Sequence, residues 1–303
     1  MSAAAPESET HHSSRRRATL VGATAVLMWG TLAALTVSLR GVPPFQLLAM
    51  AFGVAFVTGS LWLLASGGTR RFSVMRQPVG FWLLAIAGLF AYHALYFLAL
   101  RLAPAAEANI INYLWPLFIV LLSALVPGGG RLRFAQVAGA LMGLAGTALL
   151  IGSGGQLALS SASGWGYLAA FGCALTWSSY SVLNRRFARV PSEAMIGVCG
   201  AVALLGGVTH MLFEPVTARL AGREWLALAA MGIGPLGLAF LVWDHGTKHG
   251  ELPVLGTLAY GAPILSTLLL VLLGLAPPTF ALAAACALVV TGAWVATRST
   301  KKS

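Results

Sequence analysis

The stretch ANIINYLWPLFIVLLSAL, residues 108–125, is long and apolar enough to cross a bilayer, yet it holds two carboxamides, Asn109 and Asn112, and a helix breaker, Pro116. At 100° per residue the three positions fall on one side of a helix, so that side is turned away from lipid. A segment with such an inner face belongs in a bundle of similar segments.

The rest of the chain agrees. Of 303 residues, 58% are hydrophobic and 9% charged, and the mean hydropathy is +0.84; a soluble domain has roughly 25% charged residues. The fold class expected is therefore an all-α polytopic membrane protein. A net charge of +11 would suggest nucleic acid in a soluble chain. Here the basic residues punctuate apolar runs, as topology signals do, so the partner is a lipid bilayer and not nucleic acid. Cys173, Cys199 and Cys286 are lone thiols in apolar surroundings and suggest neither a disulfide framework nor a metal site.

A helix needs about 20 apolar residues to cross the hydrocarbon. The apolar runs allow ten such spans, at 18–39, 43–65, 79–100, 104–126, 134–151, 164–184, 192–213, 223–243, 251–274 and 279–297. Residues 1–17 are polar and read as a disordered basic cytoplasmic tail. Arg15, Arg16 and Arg17 resemble a signal-peptide flank, but the run behind them is too long and lacks a cleavage site, so it reads as a retained first span. With both termini inside, the cytoplasmic segments collect fifteen Lys and Arg residues and the opposite side only Arg40, Arg101, Arg219 and Arg223. That asymmetry supports an even number of spans.

The two halves resemble each other. Trp29 and Val42-Pro43 match Trp177 and Val190-Pro191 at a shift of 148, and Tyr113 and Pro116 match Tyr260 and Pro263 at a shift of 147. The expected units are a first five-helix repeat at 18–151, a non-cytoplasmic linker at 152–163, a second repeat at 164–297 and a basic cytoplasmic tail at 298–303. Five is odd, so the second unit enters the membrane from the opposite side. Inverted repeats of this kind are the architecture of secondary transporters that work by alternating access to a midplane site. Pro116 and Pro263 then become paired gating bends, or else static kinks of a sort common in membrane helices.

Tyr92, His93 and Tyr96 cluster on one face of the third span, FWLLAIAGLFAYHALYFLAL. They lie at depths comparable to Asn109 and Asn112, roughly 7–12 Å below the outer boundary. These groups form either a structural hydrogen-bond network or a wall that meets a polar solute. Trp29, Trp115, Trp177, Tyr180 and Tyr260 add aromatic faces suited to apolar, planar or cationic solutes. Trp62, Trp82, Trp165 and Trp225, near span ends, fit interface anchors better. Ser178, in TWSSYSVLN, joins the candidate pathway, although a serine often only bonds the preceding turn. Asp244, Lys248 and Glu251 crowd the junction WDHGTKHGELP, which reads as a solvated helix end or a cytoplasmic gate. Glu107 could neutralise Arg101, and Glu193 beside Arg189 reads as an end cap. The fifth and tenth spans are small and apolar, which places them at the periphery or at a dimer contact, in a monomer or weak dimer.

There is no phosphate-binding loop and no ligand cluster with metal spacing, so neither a cofactor nor a metal is expected. No nucleophile, base and orienting group assemble into an enzyme.

The ten-span, five-plus-five organisation resembles the drug/metabolite transporter superfamily, in the branch with paired EamA-type repeats. Residues 96–125 are similar to the corresponding stretch of its aromatic amino-acid exporters, whose NYLWP occurs here as Asn112-Tyr113-Leu114-Trp115-Pro116. The resemblance implies a carrier in the bacterial inner membrane that exports a small amphipathic solute, namely aromatic and other neutral amino acids. Flat organic cations or other metabolites are the alternative, and a channel is a further one. It also implies a central cavity built from the first four helices of each repeat. The second half keeps Tyr260 and Pro263 but has Ala259 and Ala262 in place of the Asn and Trp, so the two halves need not make equal contacts.

Overall fold

The computed structural model describes residues 6–126, 132–153, 161–214, 216–275 and 277–298. Parts of the expected linker (154–160) and C-terminal tail (299–303) lie outside the described residues. Among the described residues every element is helical. In chain order these are α1 (Pro6–Trp29), α2 (Leu32–Val37), α3 (Pro44–Gly67), α4 (Val79–Leu102), α5 (Ala105–Asn112), α6 (Trp115–Ser123) and α7 (Phe134–Gly152). They continue as α8 (Gly164–Leu183), α9 (Met195–Phe213), α10 (Gly222–Ile233), α11 (Ala239–His249), α12 (Leu252–Ala259), α13 (Gly261–Leu272) and α14 (Phe280–Arg298).

Seven helical stretches are long and apolar enough to cross a membrane: Ser13–Val37, Pro44–Met75, Val79–Leu102, Phe134–Gly152, Ser192–Phe213, Gly222–His249 and Leu252–Leu272. The apolar helices Glu107–Ser123 and Phe280–Ala296 are shorter. In the region of the expected sixth span, α8 is 20 residues long and diluted by Thr176, Ser178, Ser179 and Ser181. The chain is thus a polytopic membrane protein.

Two expectations change. The first helix begins at Pro6, so residues 6–17 extend it where a disordered tail was expected; once a helix is nucleated, each added residue costs little. The first span is also not continuous. It breaks after Trp29, where Gly30 packs without a Cβ against Leu265 and the Thr31 hydroxyl bonds the Met28 carbonyl at 2.7 Å.

The breaks in the fourth and ninth spans follow their prolines. Pro116 has no N–H and its ring crowds the carbonyl four residues back. The chain responds with a tighter turn, Leu114 N–H donating to Ile111 O at 3.1 Å. Ahead of Pro263, Tyr260 N–H likewise donates to Thr257 O at 3.3 Å. A fourth break, like the one after Trp29, departs from the expected continuous span: Gly234–Leu238, around Pro235, winds as a wide π-turn between α10 and α11.

The most extensive helix pairs are α7 with α14, α3 with α9, α4 with α8, and α1 with α11. The first of these uses up the small residues. A Cβ added at Gly139 would strike the Gly292 carbonyl, and one at Gly292 would strike that of Gly139. The small faces of the fifth and tenth spans therefore face each other. Replacing Gly139 with Val should lower stability by about 1–3 kcal/mol or more through overpacking. Gly53→Ala, where a Cβ meets nothing within 4 Å, should be neutral or stabilising; thermal melts in detergent compare the two.

Candidate functional site

Four indoles meet at the centre of the bundle: Trp29 at the end of α1, Trp115 at the start of α6, Trp177 in α8 and Trp243 in α11. Their six pairwise centroid distances run from 5.0 to 6.3 Å, and four of the pairs are edge-to-face. Such pairs gain from ring quadrupoles beyond the area they bury. The breaks make this meeting possible. Trp29 sits where the first span is interrupted and Trp115 where α6 begins, so neither ring is held to the path of one straight helix. The wide turn around Pro235 leaves its carbonyl open, and Trp29 Nε1 donates to it at 3.1 Å. Trp243 Nε1 donates to Ser181 Oγ at 3.2 Å.

Phe240 joins the cluster from α11, 5.7 Å from Trp177 and stacked on Phe52 at 5.6 Å. His93 lies edge-on to Phe52 at 5.4 Å. Its Nδ1 is 2.7 Å from Leu89 O, one turn back on its own helix, which leaves Nε2 as the end that faces away from that bond.

Above the indoles the expected polar groups come together. Tyr92 lies 5.3 Å from Trp177, and Tyr92 and Tyr96 stack with planes only 1° apart. The Tyr96 hydroxyl donates to Asn109 Oδ1 at 2.8 Å, while Asn109 Nδ2 donates to Ala105 O at 2.8 Å. Asn112 Nδ2 reaches the Tyr92 hydroxyl at 3.4 Å, and its Oδ1 is buried with no partner. An unsatisfied buried amide oxygen is costly unless a donor arrives. Asn109 is thus largely occupied by the protein, and Asn112 keeps one acceptor open.

Other expected residues sit elsewhere. Ser178 is fully buried and bonds the preceding turn at Leu175 O, 3.0 Å. Tyr180 touches Trp177 at 5.4 Å but is wedged against Gly88, its hydroxyl turned to the Met195 sulfur. Tyr260 lies in a separate apolar cluster with Leu117, Val120 and Ile264, against Gly143. Pro116 and Pro263 are buried where the broken helices meet, and Gly256 of α12 approaches the Pro116 carbonyl. Trp165 and Trp225 are exposed, as interface anchors would be, and Trp62 carries the Arg71 guanidinium 5.5 Å above its ring. Arg71, not Arg189, pairs with Glu193 at 3.5 Å. Glu107 is buried in the described structure and Arg101 exposed.

Burial varies along this column. Asn184, Asp244 and Thr247 are completely buried, and the indoles of Trp243, Trp177 and Trp115 are 1%, 3% and 5% exposed; at the other end Trp29, Tyr92, His93 and Tyr96 are half-buried around a buried Asn112. The Asp244 end is sealed and the other end is mixed. There Glu214 takes the N–H groups of Phe45 and Gln46 at 2.9 and 3.1 Å, and His210 bonds Glu214 at 2.7 Å.

Residues 16–152 and again 164–298 match the EamA-like transporter family. The chain belongs to that family. A protein of Ancylobacter novellus named aromatic amino acid exporter YddG is 54% identical over 285 residues, 94% of this chain and 98% of that one. Proteins of the same name from Salmonella typhimurium and Escherichia coli are 28% and 27% identical, each over more than nine-tenths of both chains. A solved crystal structure superposes with a TM-score of 0.89 at 53% identity, covering 94% of this chain and 98% of that one. The EamA assignment places the chain among transporters.

Sequence reading missed Trp243, Phe240 and Phe52. Trp243 fell at the margin of the expected eighth span, where a tryptophan reads as an interface anchor; its registration against Tyr96 at the shift of 147 was the available signal. Trp243→Ala should cost about 3–5 kcal/mol of stability, whereas Trp165→Ala at an exposed ring should cost under about 0.5 kcal/mol. Thermal unfolding of the two variants tests the difference.

Proposed function

We propose that the protein exports aromatic and other neutral amino acids across the bacterial inner membrane by alternating access. Ten spans form two inverted five-helix repeats, with both termini on the cytoplasmic side and the chain working as a monomer or weak dimer. Two observations support the architecture. The family matches twice, once on each half. The major helix pairs also map onto themselves when the halves are exchanged: second with seventh and fifth with tenth are unchanged, while third with sixth and first with eighth trade places. A two-fold relation between repeats produces that pattern.

The observation that carries the substrate reading is the indole cluster beneath an open amide acceptor, on a chain 54% identical to a protein named an aromatic amino acid exporter. Ring faces of Trp29 and Tyr92, with Trp177 packed behind both, take up an aromatic or apolar side chain through stacking and burial. Asn112 Oδ1 accepts from the solute's ammonium, a charge-assisted bond stronger than a neutral one. His93 meets the carboxylate when its ring is doubly protonated, so that Nε2–H donates to the solute while Nδ1–H stays on Leu89 O. Binding here replaces part of the solute's hydration during passage, and no covalent bond changes. The sealed Asp244 end is the cytoplasmic side and the half-buried residues line a vestibule open outward. The paired bends at Pro116 and Pro263 let one vestibule close as the other opens.

Purified protein in liposomes should give saturable efflux of preloaded phenylalanine and tryptophan, accelerated by the same solute on the far side. Flux that never saturates and shows no counterflow would instead indicate a channel, and competition by organic cations alone would indicate the drug-exporter alternative. Asn112→Ala removes a bond worth about 1.5–3 kcal/mol, so KM for phenylalanine should rise about tenfold or more. An unchanged KM and maximum flux in folded Asn112→Ala protein would take Asn112 out of the site.

A further inference from the structure

Below the indoles lies a second polar centre that the solute path does not use. Asp244 and Lys248, one turn apart on α11, pair at 2.8 Å with both side chains fully buried. Every remaining bond of the pair leaves α11. Asp244 Oδ1 accepts from Asn184 Nδ2 at 2.8 Å, at the end of α8, and Oδ2 accepts from Ser192 at 2.6 Å, ahead of α9. Lys248 Nζ donates to Val190 O at 3.0 Å and lies 5.1 Å over the Phe81 ring of α4. One ion pair therefore ties together four helices where the bundle is sealed. Trp243, the neighbour of Asp244, places its indole on Ser181 directly above.

Repeat registration adds a second, independent observation. At the shift that aligns Pro116 with Pro263, Lys248 aligns with Arg101, Trp243 with Tyr96 and Asp244 with Phe97. Lys248 is 3% exposed, yet Arg101 is exposed on the surface of the bundle. The same position of the two repeats is thus buried at the closed end and exposed at the open end. If the repeats exchange conformations during transport, this is the position whose environment is exchanged.

We propose that Asp244 and Lys248 are positioning residues for translocation: a latch that holds the cytoplasmic gate shut and must separate, with both charges becoming hydrated, each time the carrier opens inward. The inference rests on the inverted-repeat reading above. A buried ion pair suits this role because its free energy is poised. Its mutual attraction offsets a large loss of hydration, so water entering the gate can replace the pair at modest net cost. Removing one charge upsets that balance, because the remaining ion is buried without compensation and the closed state is penalised. Removing both leaves a neutral, well-packed seal. At the outer end Phe97 stands where Asp244 would be, so the outer gate closes without a matching carboxylate.

The test uses the full chain in membrane vesicles, with Cys173, Cys199 and Cys286 replaced by Ala and a reporter at Ser181→Cys, labelled by a membrane-impermeant maleimide. In the otherwise unaltered protein, labelling from the cytoplasmic face should be slow. Asp244→Asn should speed it by about tenfold or more, since one unpaired buried charge shifts the gate toward open. Asp244→Asn/Lys248→Met should return it to within about twofold of the starting rate. Unchanged labelling in folded Asp244→Asn protein, or a double variant as reactive as the single one, would overturn the latch. Should Asp244→Asn fail to fold, Lys248→Met supplies the same comparison against the double variant. Faster labelling that arrives only from the outer face would uphold the latch and overturn the topology.

Discussion

Hydrocarbon offers no hydrogen bonds, and nearly every departure from regular structure here is shaped by that constraint. Each broken helix frees backbone groups that lipid cannot satisfy, so the breaks must point inward and find partners there. The wide turn around Pro235 finds the Trp29 indole, and the turn at Gly30–Thr31 finds a threonine hydroxyl. The turn ahead of Pro116 closes a three-residue hydrogen bond of its own, Leu114 N–H to Ile111 O. The same rule concentrates polar side chains on the bundle axis. The proposed path for a polar solute is thus assembled from groups that had to be inside in any case.

That constraint also explains what could be read from the chain. Helix positions were legible because apolar length is set by bilayer thickness: α3, α4, α7 and α14 begin within a residue or so of the expected spans. The breaks in the fourth and ninth spans were legible because proline removes a donor wherever it stands. The break after Trp29 was not, since glycine followed by threonine is tolerated in many continuous helices. The polar cluster of Tyr92, His93, Tyr96, Asn109 and Asn112 followed from helical periodicity on two helices joined by a very short turn. Trp243 and Phe240 did not, because their meeting with Trp29 depends on how α1 and α11 cross, which no local pattern encodes. Asp244 and Lys248 look like solvated charges at a helix end, and only tertiary packing shows that Asn184, Ser192 and Phe81 close over them.

The two ends of the bundle are held by different chemistry, although the halves derive from one pattern. At the sealed end a carboxylate and an ammonium are buried together. At the other end Glu214 caps the start of α3 and bonds His210, while Gln46 exchanges two hydrogen bonds with the backbone of Ala218. These contacts join the second span to the seventh, the pair that two-fold exchange leaves unchanged. Under the proposed exchange of roles between repeats, a contact inside such a self-related pair need not break, whereas one that links α11 to α4, α8 and the start of α9 must be remade.

This division has a consequence for where motion is permitted. The α7–α14 pair is locked by backbone-to-backbone approach at Gly139 and Gly292, and small-residue interfaces of this kind resist sliding because any side chain carried into them collides. The α3–α9 pair is held at one end by the Glu214 cap. The four tryptophans, by contrast, meet through rings on four different helices. Edge-to-face and tilted ring pairs differ little in energy across a range of angles, so their helices can rotate by small amounts without loss of contact. Self-related pairs thus frame a centre of adaptable ring contacts drawn from α1, α6, α8 and α11, and under the proposed alternation it is this centre, with the bends at Pro116 and Pro263, that has room to move.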